Sequence, residues 1–146
     1  MLKHEFKSIE NTVVTANSNA TVTATFDTVG FSRAVIELNH GASAVTTVPA
    51  VLKLSEGDTT SAYTDIDAFT AGTGFTAASP STSAGTNIYR FDVDLRGRKR
   101  HLKLTFTAAA GQGTTVITTH AKAMLFRAAL GTDTVTKLGV TQVVSG

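Results

Sequence analysis

The chain has no cysteine and no tryptophan, and only two prolines among its 146 residues. Without cysteine there is no disulfide and no thiolate chemistry, so packing or association with other subunits must hold the fold. Charge is scarce as well: 16% of residues are charged and the formal net charge is +2. So small an excess does not describe a nucleic-acid binder, whose phosphate contacts need a broad basic face. No apolar run approaches the ~20 residues a membrane helix needs. The opening Met1-Leu-Lys-His-Glu-Phe-Lys7 is too charged for the apolar core of a signal peptide, so synthesis and folding in a cytoplasm are expected.

Threonine, serine, alanine and glycine fill the space that charge leaves, beside a hydrophobic fraction of 42%. That balance is neither disordered nor membrane-spanning, and the length suits one domain with a real core. Threonine favours strands, because its branched β-carbon fits a pleated surface. Val22, Ala24 and Phe26 alternate with Thr21, Thr23 and Thr25. Ala34, Ile36 and Leu38 alternate with Arg33, Val35 and Glu37, and Leu52 and Leu54 with Lys53 and Ser55. Tyr89, Phe91, Val93 and Leu95 alternate with Arg90, Asp92 and Asp94, and Leu102, Leu104 and Phe106 follow the next turn. Period two of this kind is that of strands with one buried face.

About eight short strands separated by turns every 8–12 residues predict an all-β, antiparallel sandwich or barrel. Residues 1–10 read as an N-terminal arm or a first edge strand, 11–130 as the β-sandwich domain, and 131–146 as a C-terminal tail docking as a strand or arm. Glu56-Gly-Asp58 turns a hairpin between Leu52–Ser55 and Tyr63–Ile66. From Phe69 to Thr86 the chain reads as a long surface loop, with only Phe69 and Phe75 to bury. Ala121–Leu130 has helical propensity, but a strand continuing through Phe126 would complete a sheet.

Few residues suggest chemistry. His4, His40, His101 and His120 lack the close spacing of metal ligands and read as solvent-exposed imidazoles. Asp92-Val-Asp94-Leu-Arg96-Gly97 opens like a calcium loop, but Arg96 and Lys103 stand where ligands are needed. Glu56 with Asp58, Asp65 with Asp67 and Asp92 with Asp94 are carboxylates two apart. On a strand they would stand about 7 Å from each other, a spacing that glycoside hydrolysis could use and that solvated faces also produce. The strongest charge feature is Arg96, Arg98, Lys99, Arg100, His101 and Lys103 around one turn. It is a knob seated on an acidic partner surface or a phosphate backbone, or a solvated turn that keeps an edge from pairing.

The series Asp27-Thr-Val-Gly-Phe31, Ala34-Val-Ile-Glu-Leu38, Leu52-Lys-Leu-Ser-Glu56, Tyr63-Thr-Asp-Ile66 and Arg100-His-Leu-Lys-Leu104 resembles small virion proteins of tailed bacteriophages. These are the decoration, or cement, proteins on the outside of the head. The resemblance implies a jelly-roll-like sandwich, a homotrimer, and a place on the outer surface of the capsid. There it would bridge neighbouring major capsid subunits without catalysis, cofactor, metal, membrane or direct nucleic-acid contact. On that reading Arg96, Arg98, Lys99, Arg100 and Lys103, together with Leu2, Phe6, Phe69 and Phe75, are the candidate partner contacts. The rival expectation is a tail- or head-fibre domain whose 69–86 loop binds a host glycan, stacked on Phe69 and Phe75.

Overall fold

The computed structural model describes residues 6–16, 21–83, 87–127 and 142–145. Its strands in chain order are β1 (Phe6–Ala16), β2 (Thr21–Asp27), β3 (Arg33–His40), β4 (Val51–Gly57), β5 (Thr64–Thr70), β6 (Asn87–Asp94), β7 (His101–Thr107), β8 (Val116–Phe126) and β9 (Gln142–Ser145). They form two sheets packed face to face, one in the order β1-β8-β3-β6-β9 and the other β2-β7-β4-β5. The protein is an all-β sandwich, antiparallel except where β9 runs parallel to β6. The pairings follow a rule: β1 with β8, β2 with β7, β3 with β6 and β4 with β5, alternating between the sheets.

The alternation in the sequence maps onto the two inner faces. Phe26, Leu54, Leu102, Leu104 and Phe106 from one sheet meet Ile36, Leu38, Tyr89, Phe91 and Leu125 from the other in a single core. Large and small residues alternate across β3, which is what lets the layers interlock. Ile36 stands opposite Phe91 on one side and Ala123 on the other, and Leu38 stands between Tyr89 and Ala121. The same alanines explain why 121–126 is a strand despite its helical propensity. Ala121, Ala123 and Leu125 are buried at every second position between β1 and β3, a pattern no helix reproduces.

Two segments differ in part from the sequence expectation. Residues 6–10, read as an arm or an edge strand, are the first half of edge strand β1, and residues 1–5 lie outside the described residues. Of the 69–86 segment, read as a long surface loop, residues 84–86 lie outside the described residues, and its first part is packed against the core. Phe69 belongs to β5 and is fully buried, and Phe75 packs on the core. The two rings meet Phe91 edge-on, with centroids 6.1 and 6.0 Å away. The segment between them is tied down by Gly74 N–H to Thr70 C=O (2.9 Å) and Gly72 N–H to Phe75 C=O (2.9 Å). Further on, the Tyr89 hydroxyl donates to Ala78 C=O at 2.8 Å.

The C-terminal tail, within its described part, docks as β9. Gln142 fastens both ends of the 76–78 stretch, donating to Thr76 C=O (2.8 Å) and accepting from Ala78 N–H (2.9 Å).

The sandwich has two unlike ends. One is a charged rim formed by the turns after β2, β4 and β6. The other carries the loops 41–50, 78–83 and 108–115, and it buries His40, Ser43, Asn87 and Gln112.

Candidate functional site

The charged rim is the site that the basic run 96–103 pointed to, and its geometry begins with one turn. Asp94, at the end of β6, accepts the Arg96 N–H at 3.0 Å, a local bond that starts a turn. Arg98 N–H closes it on Leu95 C=O (3.1 Å), with Gly97 at φ 80° in the third position. That is the type II geometry, which asks for a residue free to take positive φ. The turn throws Arg96, Arg98, Lys99 and Arg100 onto the rim together.

They do not form a bare basic patch there. Arg96 grips Asp94, its Nε 3.0 Å from one carboxylate oxygen. Arg98 pairs with Glu56 at 3.7 Å, and Lys99 Nζ with Asp58 at 3.3 Å. Arg100 forks onto Asp27 through Nε (3.0 Å) and a terminal nitrogen (2.7 Å). Lys103 Nζ sits 4.4 Å above the centre of the Tyr63 ring, a cation on the negative face of an aromatic. The Arg100 fork holds the Asp27 carboxyl down to about 2, and the Arg96 fork does the same for Asp94. Four cations of the run are therefore paired with acids of the same chain, and Lys103 keeps its charge over the face of Tyr63. The rim presents alternating signs, which suits docking on another patterned protein surface and concentrates no positive potential for a phosphate backbone.

The other candidate contacts are scattered. Leu2 lies outside the described residues, and Phe6 begins β1 opposite Phe126. Phe69 is committed to the core and cannot meet a partner, and Phe75 packs on the core partly buried, held edge-on against Phe91. Five of the six paired carboxylates, all but Asp67, are shown engaged. Asp92 lies buried against Arg33, Asp94 is held by Arg96, and Glu56 and Asp58 by Arg98 and Lys99. Asp65 accepts from Lys53 Nζ (2.6 Å) and Ser55 Oγ (2.7 Å), which lowers its pKa from the ordinary carboxylate value.

Sequence reasoning missed the loop end. His40 was expected at the surface as an exposed imidazole, yet it is 2% exposed. Gln112 ties the end together: its Oε1 accepts Ala44 N–H (2.8 Å), and its Nε2 donates to Ser43 Oγ (3.0 Å) and Ala109 C=O (3.2 Å). The one available signal was position, because His40 continues the inward series Ala34, Ile36, Leu38 of β3.

Among the described residues no three histidine or acidic side chains converge as metal ligands would. Neither the models of protein families nor the curated proteins provide a match to this chain.

Proposed function

We propose that the chain is a structural virion protein: a decoration, or cement, protein on the outer surface of a tailed-phage head. It acts as a homotrimer that bridges neighbouring major capsid subunits by protein–protein contacts, without catalysis. The observation that carries this reading is the pairing order. Strands joined one to eight, two to seven, three to six and four to five, alternating between two sheets, describe a chain doubled into a hairpin and rolled up. Such a winding supports a jelly-roll reading, an architecture used on viral shells, and the resemblance over 26–107 leads to the same class.

The surface chemistry supports the same role. A rim of alternating charge gives many modest, salt-sensitive contacts, and repetition over a symmetric lattice turns modest contacts into large avidity. Arg96, 81% exposed in its side chain, is the rim cation most available to a neighbour.

The test is light scattering on the purified chain followed by sedimentation with matching empty heads. A trimer or larger that co-sediments supports the proposal, and so does loss of attachment when Arg96, Arg98, Lys99 and Arg100 are replaced by glutamine. A monomer that never travels with heads overturns it.

A further inference from the structure

The loop end of the sandwich contains a titratable group with an incomplete set of partners. His40, the last residue of β3, is stacked against Phe106 with centroids 5.1 Å apart and against Tyr89 at 5.9 Å. Its Nδ1 lies 2.8 Å from the Gly41 carbonyl oxygen. A carbonyl only accepts, so Nδ1 carries the proton and the neutral ring offers Nε2 as a bare lone pair. Nε2 is buried with no hydrogen-bond partner. The same holds for the hydroxyl of Thr119, fully buried and directly opposite His40 in β8. The ring borders a small cavity walled by Pro49, Pro80, Phe106 and Ile117, with room for about one water.

We propose that His40 is an acid-operated latch: a proton taken up at Nε2 breaks the packing of the loop end and opens it, while the rest of the sandwich stays closed. The added N–H would need an acceptor; the amide side-chain oxygens nearby are taken, which leaves only the buried Thr119 hydroxyl, an uncharged partner. Gln112 Oε1 already receives Ala44 N–H (2.8 Å) and Ser43 Oγ (3.3 Å). Asn87 Oδ1 receives Ser81 N–H at 2.7 Å. No counter-charge compensates either. The described groups facing the ring are Tyr89 from β6, Phe106 from β7, Ile117 and Thr119 from β8, and Ser43 and Gln112 from the loops. Of these only Tyr89 titrates, and burial pushes its phenol up to about 12, so it stays neutral. The stacked rings attract a cation through their faces, which offsets part of the cost of burying one.

Burial holds the His40 pKa below the ordinary histidine value, with the Nδ1 bond to Gly41 acting weakly the other way. The sign follows. In the closed end the ring is neutral, and once exposed it regains a value of about 6.5. Closure is therefore fully favoured above about pH 6.5, and opening gains up to about tenfold per pH unit below it until the lowered value is reached.

Amide hydrogen exchange on the full chain from pH 7.5 to 4.5, corrected for intrinsic rates, tests the latch. The opening constants of the amides of Gly41, Ser43, Ala44 and Ser81 should rise about tenfold per unit below pH 6, while those of β7 hold. His40→Gln, which cannot take the charge, should abolish that slope. Equal protection at both ends of the range, or the same slope in His40→Gln, would overturn the proposal. If His40→Gln does not fold, the ring resonances of the wild-type protein decide. A ring that stays neutral until the loop amides open supports the latch, and ordinary titration near pH 6.5 with the loops still protected refutes it.

Discussion

Arg33 of β3 reaches diagonally across the outer face of the five-stranded sheet to grip Asp92 of β6 with both arms of its guanidinium. Nε lies 2.6 Å from one carboxylate oxygen and a terminal nitrogen engages the other. Asp92 is 6% exposed although it points away from the core. Two residues further on, Asp94 binds Arg96 on the rim with its partner almost wholly in water. The two carboxylates look alike in the sequence and stand in opposite environments.

Asp92→Ala should therefore cost about 3 kcal/mol, because it leaves a largely buried guanidinium without its counter-charge. Asp94→Ala should change stability by well under about 1 kcal/mol, as exposed ion pairs usually do. Urea melts of the two variants check the difference, and equal costs would mean the Arg33 pair is solvated.

Acid should weaken the fold in a second window, separate from that of His40. The Arg100 fork holds Asp27 near 2 in the folded chain, against about 3.9 when unfolded. The stabilisation is therefore present above pH ~4 and is lost as the pH falls through about 2. The pair is close to half exposed, so solvent screening keeps its contribution below about 1 kcal/mol. Arg100→Gln should make the stability profile less steep between pH 4 and 2, where Asp94 and Asp65 still contribute, and leave the region near pH 6 unchanged.

Phe69→Ala should destabilise the fold by about 3–5 kcal/mol, the usual cost of removing a buried aromatic ring. Phe75→Ala should cost less, because that ring is only partly buried and loses one edge-on contact with Phe91. Thermal melts read both. A Phe75→Ala protein with unchanged stability but lost binding on a glycan array would restore the fibre reading.

Two glycines are fixed by close approach. A Cβ at Gly57 would lie 2.1 Å from the Ala62 carbonyl oxygen, and one at Gly74 would lie 2.2 Å from that of Asp67. Neither neighbour is a flexible side chain, so Gly57→Ala or Gly74→Ala should cost about 2 kcal/mol or more through forced backbone shifts. Gly97→Ala meets open space and bears only the strain of its positive φ, about 1 kcal/mol. Chemical denaturation of the three variants should rank them in that order.

The strands legible in the sequence were those with one dry face. β2, β6 and β7 alternate because a pleated strand shows every second residue to the core. β5 was harder. Only Ile66 and Phe69 are buried along it, and the register against β4 shifts between Lys53 and Ser55, so its period is broken. Phe69 then looked like the start of a loop, because glycine, serine and threonine follow it.

The rim misled for a different reason. Asp27 and Glu56 are far from Arg98–Arg100 in the chain, and only the folding of separate turns to one end brings them together. The local run of basic residues is real, but its pairing with distant acids is a tertiary fact. His40 hid in the same way, since loops from three distant segments bury it.

The doubled-over pairing also dictates an order of assembly. Of the hydrogen-bonded partners, only β4 and β5 are consecutive along the chain, so their hairpin is the one pairing cheap enough in loop entropy to form early. Each later layer must bring together segments further apart than the last, until Phe6 finds Phe126. A nascent chain leaving the ribosome therefore holds β1 without its mate until nearly all of the sandwich has been made. Slow folding, on the millisecond-to-second scale of non-local β proteins, and a need for shelter from neighbouring nascent chains follow from the winding itself.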